Sequence, residues 1–227
     1  MIQIKSLSDS RLDTLCAYCS DLATTKDHVP SKVLLDEPYP ENIPNVPCCH
    51  KCNHDFSLDE EYVACAFECY KYGTTDIDKL GRIKVVKSLQ HNNKLKESLT
   101  NAFYEDKGKS FFEFDQKRLF NVIVKLAKGH AKFENSESNN GEPQSIRFNI
   151  IDNLSEDEQK DFFSPPVMEK YPEVGSRGMI AVCENGIPHS RWITVQENHY
   201  SYMVNITISF VDVRIFISNL FCIQVII

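Results

Sequence analysis

The chain of 227 residues has no hydrophobic run long enough for a membrane helix, which needs about 20 consecutive apolar residues. Its most apolar stretch, residues 202–227, is interrupted by Asp212 and Arg214. The first ten residues are too polar for the core of a signal peptide. The sequence also has no Gly-rich phosphate-binding loop and no ATPase signature, so we do not expect it to power movement along DNA. These absences predict a cytoplasmic protein that does not bind membranes.

Positive charge is scarce overall but concentrated in one segment. The whole chain carries a net charge of −7, which counts against nucleic-acid binding. Residues 79–132 nevertheless contain 13 Lys and Arg against 5 Asp and Glu, a net charge of +8, which leaves −15 for the rest. This segment predicts either a phosphate-binding surface or two helices with solvated lysine faces. The candidates for phosphate contacts are Lys84, Lys87, Lys94, Lys117, Arg118, Lys125 and Lys128.

Cysteine is abundant, with nine residues, and its spacing is informative. The odd number, without a signal peptide, argues against a secreted disulfide framework. Two C-x-x-C pairs are typical of a tetrahedral zinc site, because a two-residue spacer lets both thiolates reach one ion. They are Cys16-Ala-Tyr-Cys19 and Cys49-His-Lys-Cys52. Either Cys48 or His50 could replace one of these ligands, and the alternative to zinc is a set of four unrelated buried thiols.

Polar residues typical of hydrolytic sites lie between and after the two cysteine pairs. The order is Asp27-His-Val-Pro, then an Asn within residues 42–45, then Asn53-His directly after the second pair. With this order, residues 15–62 resemble the HNH endonuclease family, also called His-Me finger or ββα-metal nucleases. The sequence around these motifs also resembles that of bacterial HNH proteins with a C-terminal extension. The resemblance implies two short strands and a helix, clamped by a structural Zn²⁺.

The resemblance also implies a role for each matching residue. His28 would be the general base that takes a proton from the attacking water, a task suited to an imidazole of near-neutral pKa. Asp27 and Asn53 would bind a catalytic Mg²⁺ or Mn²⁺, which stabilises charge on the leaving oxygen. Either His54 or Asp55 would be a further ligand of that ion or would support one. For the middle residue of the family pattern, which orients the His28 ring, we favour Asn42, and Asn45 is the alternative.

The rest of the chain predicts helices followed by strands. Ser57 and Gly73 bracket a helix over residues 58–72, a second helical pattern breaks near Asn92, and a third begins after Asp115 and stops at Gly129. Strands are expected at 145–151, 179–183, 192–196, 200–208, 213–218 and 221–227. We therefore expect an α+β protein with an N-terminal zinc-clamped HNH module, residues 1–62. The second domain, 63–227, would combine helices at about 63–132 with an antiparallel sheet at about 145–227.

Taken together, the sequence predicts a metal-dependent HNH endonuclease that hydrolyses phosphodiester bonds, with DNA a better candidate substrate than RNA. By analogy we expect a role in antiviral (phage) defence, in restriction or as a toxin, with a protein partner or a second copy of the chain. The alternatives are a non-catalytic zinc module that binds nucleic acid or a protein, and an RNA-directed nuclease. Cys65 and Cys69 are either further metal ligands or buried thiols, and buried thiols are favoured.

Overall fold

A computed structural model describes residues 5–138, 141–186 and 189–227, without the side chain of Asn185. Every strand pair in the described part is antiparallel, and helices and sheets are both present, which confirms the α+β class. The first half of the chain contains β1 (Thr25–His28), β2 (Asn45–Cys48), α1 (His50–Asp55), α2 (Ser57–Tyr72), α3 (Ile83–His91), α4 (Asn93–Asn101), β3 (Phe103–Asp106), β4 (Lys109–Phe112) and α5 (Gln116–Asn135). The second half contains β5 (Ser145–Ile150), α6 (Glu156–Phe163), α7 (Arg177–Asn185), β6 (Ile193–Gln196), β7 (Tyr200–Ile206), β8 (Val211–Ile217) and β9 (Phe221–Ile226). Short 3-10 helices span Ser10–Thr14, Lys32–Leu34, Ile77–Lys79 and Ile151–Asn153.

The chain forms two compact units whose bounds differ from the expected boundary at residue 62. The first unit comprises Met1–His54 and Ile123–Ile227, and the second comprises Asp55–Val122. The N-terminal region with both cysteine pairs is thus in one unit with the C-terminal sheet. The reason is that the later turns of α5 pack within the first unit, a long-range contact that sequence pattern does not encode.

The first unit is built on a five-stranded sheet with the strand order β5-β9-β8-β7-β6. Its central strands are buried on both faces, as β7 and β8 illustrate. The last turns of α5 pack on this sheet. The ring of His130 on α5 stacks on the ring of Tyr202 on β7, with 3.7 Å between the ring centroids. The Tyr202 hydroxyl also donates a 2.7 Å hydrogen bond to Glu134 of α5. In the described part of the chain, neither α5 nor any other helix is long and apolar enough to cross a bilayer.

A second, two-stranded sheet in the first unit carries the candidate site. β1 pairs with β2 so that His28 faces Asn45 and Thr25 faces Cys48. α5 approaches this hairpin closely at Gly129, where an added Cβ would lie 2.6 Å from one methyl group of Val29. The expectation that α5 stops at Gly129 is therefore wrong: the helix continues to Asn135, and the glycine provides the space for Val29.

The second unit contains α2, α3 and α4 and the β3–β4 hairpin. α2 ends at Gly73 in the left-handed conformation, as expected, and it begins at Ser57, one residue before the expected start. The expected break at Asn92 is confirmed, since this residue ends α3 and its side chain caps α4. The β3–β4 hairpin was not expected. Lys107 and Gly108 form its turn with positive φ angles, the geometry that favours a two-residue hairpin.

The segment expected as a strand at residues 179–183 is instead the helix α7, and that prediction is wrong. The Ser176 side chain accepts a hydrogen bond from the Met179 backbone and caps the helix at its start. Gly186 ends it in the left-handed conformation. The apolar run between these two capping residues is compatible with either a strand or a helix. The two caps favour the helix.

Candidate metal centre

The four cysteines of the two C-x-x-C pairs converge in the first unit. The Sγ atoms of Cys16, Cys19, Cys49 and Cys52 all lie within 4.8 Å of one another. Those of Cys19 and Cys49 are 3.7 Å apart. Tetrahedral zinc with Zn–S bonds of about 2.3 Å requires Sγ–Sγ separations of about 3.8 Å, so the four thiols could hold a zinc ion. The arrangement of the four thiols therefore fits the zinc ion that the spacing of the cysteines predicted.

Backbone N–H groups point at the cluster. The amide of Tyr18 donates to Cys16 Sγ at 3.5 Å, and that of Cys52 donates to Cys49 Sγ at 3.4 Å. Burial alone would raise the pKa of Cys16, but the backbone amides of Cys49, Tyr18 and Cys19 outweigh it and lower the pKa. Burial raises the pKa of Cys19 to about 11. A thiol of that pKa stays protonated at neutral pH, so a bound cation is needed to hold all four sulfurs as thiolates.

The two alternative ligands next to the second pair lie outside the cluster. Cys48 is fully buried at the end of β2, and its thiol donates a hydrogen bond to the Cys49 carbonyl. His50 is exposed at the start of α1. Cys65 and Cys69 are both buried on α2 in the second unit, and burial raises the pKa of each to about 12, which fits buried thiols. The four-cysteine set is therefore the best-supported ligand set.

The β1–β2 hairpin presents different residues on its two faces, because successive side chains along a strand alternate. Asp27 lies on the buried face with its partner Val46. His28 lies on the other face, half-buried, opposite the exposed Asn45. Burial lowers the pKa of His28, as do the charges of Lys32 and Lys125, while Asp27 opposes them. At neutral pH the imidazole is therefore neutral and can accept a proton.

The carboxylate of Asp27 is engaged on the buried face of the hairpin. Its Oδ2 atom lies 2.7 Å from the Lys125 ammonium group and accepts a 2.7 Å hydrogen bond from the Tyr18 hydroxyl. The side chains of Lys125 and Asp27 are only 1% and 9% exposed. A carboxylate neutralised in this way has little attraction left for a divalent cation. Asp27 therefore does not fit the role of ligand for a catalytic ion in this arrangement.

The other expected site residues lie nearby in sequence, on a loop and on α1. Asn42 is exposed in a turn before β2, whereas Asn45 stands directly opposite His28 in the strand register. Asn53 is half-buried and His54 exposed on α1, next to Cys52 of the cysteine cluster. Among the described residues, the four cysteines form the only group of three or more His, Cys, Asp or Glu side chains placed to share an ion.

The expected phosphate-contacting residues divide between the two units and differ in exposure. In the second unit, Lys87, Lys94 and Lys117 are exposed and Lys84 is half-buried. Arg118 forms an ion pair with Asp59 at 2.8 Å and lies over the ring of Tyr62. In the first unit, Lys125 and Lys128 are both buried, which counts against both as phosphate contacts. The Lys125 ammonium group is paired with Asp27, which corrects the expectation for that residue.

Sequence reasoning missed the partners of the hairpin that come from distant parts of the chain. Tyr18, inside the first C-x-x-C pair, and Lys125, on α5, bind Asp27, and no local pattern links the three residues. Comparison with protein-family models, with curated proteins and with solved structures returns no match. The functional interpretation therefore rests on the residues and their geometry.

Proposed function

We propose that this protein is an HNH-type endonuclease in which a zinc-clamped hairpin presents His28 to a phosphodiester bond. The observation that supports the proposal most is the convergence of the four cysteines. A zinc ion held there ties the first C-x-x-C pair to the start of α1, and so fixes the hairpin between them. Small modules of this kind gain their rigidity from the metal rather than from a large apolar core.

In this proposal His28 acts as the general base. Its ring is half-buried on the less buried face of the hairpin, and its lowered pKa keeps it unprotonated at neutral pH. It would take a proton from a water molecule as that water attacks the phosphorus atom, a transfer that contributes typically 10²- to 10⁴-fold to a rate, to order of magnitude. Asn45, opposite His28, is better placed than Asn42 to orient the ring.

The divalent ion implied by the family resemblance is the less supported part of the proposal. Asn53 and His54 on α1 are the residues left to hold such an ion, because Asp27 is neutralised by Lys125. We propose DNA as the substrate and phage defence as the setting only by family analogy.

A second candidate function is nucleic-acid binding without catalysis. The observation that favours it is the buried contact of Asp27 with Lys125 and Tyr18, which withdraws the expected metal-binding carboxylate. Under this alternative the zinc ion and the hairpin serve only as a scaffold. Both functions predict binding, so cleavage and its dependence on His28 distinguish them.

A plasmid-nicking assay on the zinc-loaded full chain tests the proposal. The wild type is compared with His28→Ala in Mg²⁺, in Mn²⁺ and in EDTA, and zinc content is measured on the same samples. His91→Ala is the matched control, because His91 is an exposed histidine at the end of α3 in the second unit. We expect nicking by the wild type and by the control, and its loss in His28→Ala with the zinc retained. Binding without nicking in every buffer would instead support the non-catalytic alternative.

A further inference from the structure

A polar cavity of about 440 Å³ lies beside the β1–β2 hairpin in the first unit. The hairpin and the residue before it contribute Thr24, Thr25, Lys26 and Asn45 to its lining. The end of α5 contributes Lys132 and the start of α7 contributes Arg177. None of these residues belongs to the cysteine cluster, and only Asn45 belongs to the expected catalytic residues, as the alternative to Asn42.

The charge of the cavity lining is positive. Lys26, Lys132 and Arg177 face a single carboxylate in the lining, that of Asp13. Lys132 is already engaged: its ammonium group donates to the Leu12 and Ser136 carbonyls and lies 3.6 Å from Asp13. It therefore contributes positive charge rather than a spare hydrogen-bond donor. Lys26 is exposed at the rim.

Arg177 supplies the donors that Lys132 lacks. One terminal nitrogen donates to the Phe133 carbonyl at 3.0 Å, and the guanidinium lies over the Phe133 ring at 3.9 Å. Its Nε–H is buried without a hydrogen-bond partner in the described part of the chain. A buried, unpartnered donor is unfavourable, and an anionic oxygen atom nearby would relieve that cost. Arginine also matches phosphate geometry particularly well, because its planar group offers paired N–H donors.

Hydroxyl groups complete the lining with further donors for an oxyanion. Ser136 accepts a 2.7 Å hydrogen bond from Ser8, and its hydroxyl also lies 3.4 Å from that of Ser6. Thr24 and Thr25 add two more hydroxyls from the hairpin side. Mixed cationic and hydroxyl linings of this kind are the usual environment of bound phosphate groups.

Two residues of the cavity lining, Lys26 and Asn45, lie on the hairpin face that carries His28, whereas Thr25 and Val46 lie on the other face. Lys26 and His28 are two positions apart on β1, so their side chains share a face, and their Cα atoms are about 6.6 Å apart. Asn45, which lines the cavity, is the strand partner of His28. If one phosphate of a nucleic-acid strand lies at His28, a neighbouring phosphate of the same strand would therefore reach the cavity.

We propose that this cavity binds a backbone phosphate of the nucleic-acid strand, adjacent to the phosphodiester at His28. Lys26 and Arg177 contact the phosphate directly, and Lys132 contributes positive charge without a direct contact. This inference rests on the proposed function for the position of the strand. Because it concerns binding rather than cleavage, it can be tested even where no cleavage is observed.

Fluorescence anisotropy of a short labelled DNA strand, its duplex and the matching RNA tests the site on the zinc-loaded full chain. We expect Lys26→Gln to weaken binding roughly three- to tenfold and Arg177→Gln roughly tenfold or more. Each should also reduce the slope of log affinity against log salt by about one between about 50 and about 200 mM salt. Lys160→Gln on α6 is the charge-matched control and should change neither quantity.

Unlabelled inorganic phosphate and a mononucleotide are titrated as competitors to identify the source of the phosphate. We expect both to compete only weakly with the strand. Equal binding by wild type, Lys26→Gln and the control would overturn the proposal, as would failure of the wild type to bind any strand. Tight binding of the mononucleotide alone would overturn it in favour of a small phosphorylated ligand.

Because Arg177 also packs on Phe133, Arg177→Gln is checked for folding by circular dichroism and zinc content. Lys26→Gln alters an exposed rim residue, and it decides the question if the arginine variant does not fold. Binding that depends on Lys26 without any cleavage would support the cavity and refute the nuclease. Cleavage that neither substitution changes would support the nuclease and refute the proposed role of the cavity.

Discussion

Breaking the ion pair between Asp27 and Lys125 tests whether it is a structural contact of the first unit. The two charges lie 2.7 Å apart with side chains 9% and 1% exposed. Coulomb's law at an effective dielectric constant of about 20 gives about 6 kcal/mol at that separation, before the cost of desolvation. Loss of one partner of a buried pair typically costs about 3–5 kcal/mol. We therefore expect Lys125→Met to lower the free energy of unfolding by about 3–5 kcal/mol.

A double-mutant cycle isolates the pair from the other effects of each substitution. Asp27→Asn preserves the shape of the side chain, and Asp27→Asn with Lys125→Met removes both charges. We expect the double variant to lose less stability than the sum of the single variants, with a coupling of at least about 1.5 kcal/mol. Urea unfolding followed by circular dichroism on zinc-loaded samples measures this. Additivity within about 0.5 kcal/mol would refute the reasoning and would return Asp27 to the candidates for a metal ligand.

Three further predictions concern the first unit. Gly129→Ala should lower the free energy of unfolding of this unit in urea by up to about 2 kcal/mol, because strain against Val29 exceeds the gain in helix propensity. In a Val29→Ala background the same substitution should instead raise the free energy of unfolding. Burial lowers the pKa of His130 from 6.5 to about 3, so between these two pH values only the unfolded chain binds this proton. Unfolding free energy should therefore fall by about 1.4 kcal/mol per pH unit as acid is added, and His130→Gln should flatten that slope. Elemental analysis should find about one zinc per chain, lost together with the folded hairpin in Cys52→Ser or on strong chelation.

Local signals in the sequence predicted much of the fold. Gly73 and Asn92 mark helix ends as expected. The strands after residue 190 follow the apolar alternation closely, to within two residues at each end. The cysteine spacing also predicted which four thiols converge, because a C-x-x-C turn constrains its own two sulfur atoms.

The errors arose where tertiary contacts override local pattern. Gly129 reads as a helix stop, yet it lies inside α5 because Val29 packs against it. Lys125 reads as a surface charge in a basic segment, yet its partner is Asp27 on a distant strand. The apolar run after Ser176 suits a strand or a helix equally, and only the capping geometry decides between them. The contacts of Gly129 and Lys125 have no signature in the order of neighbouring residues, whereas Ser176 and Gly186 are local capping residues that bracket α7.

Chemical rescue at His28 tests the central claim of the account most directly. Single-turnover cleavage of a labelled duplex is measured for the wild type, for His28→Ala and for His28→Ala with added imidazole, at constant zinc content. If His28 removes the proton from the attacking water, the variant loses activity by at least about 100-fold and imidazole restores part of it. Undiminished cleavage by zinc-loaded His28→Ala, or no cleavage by the wild type with any divalent ion, would contradict the claim.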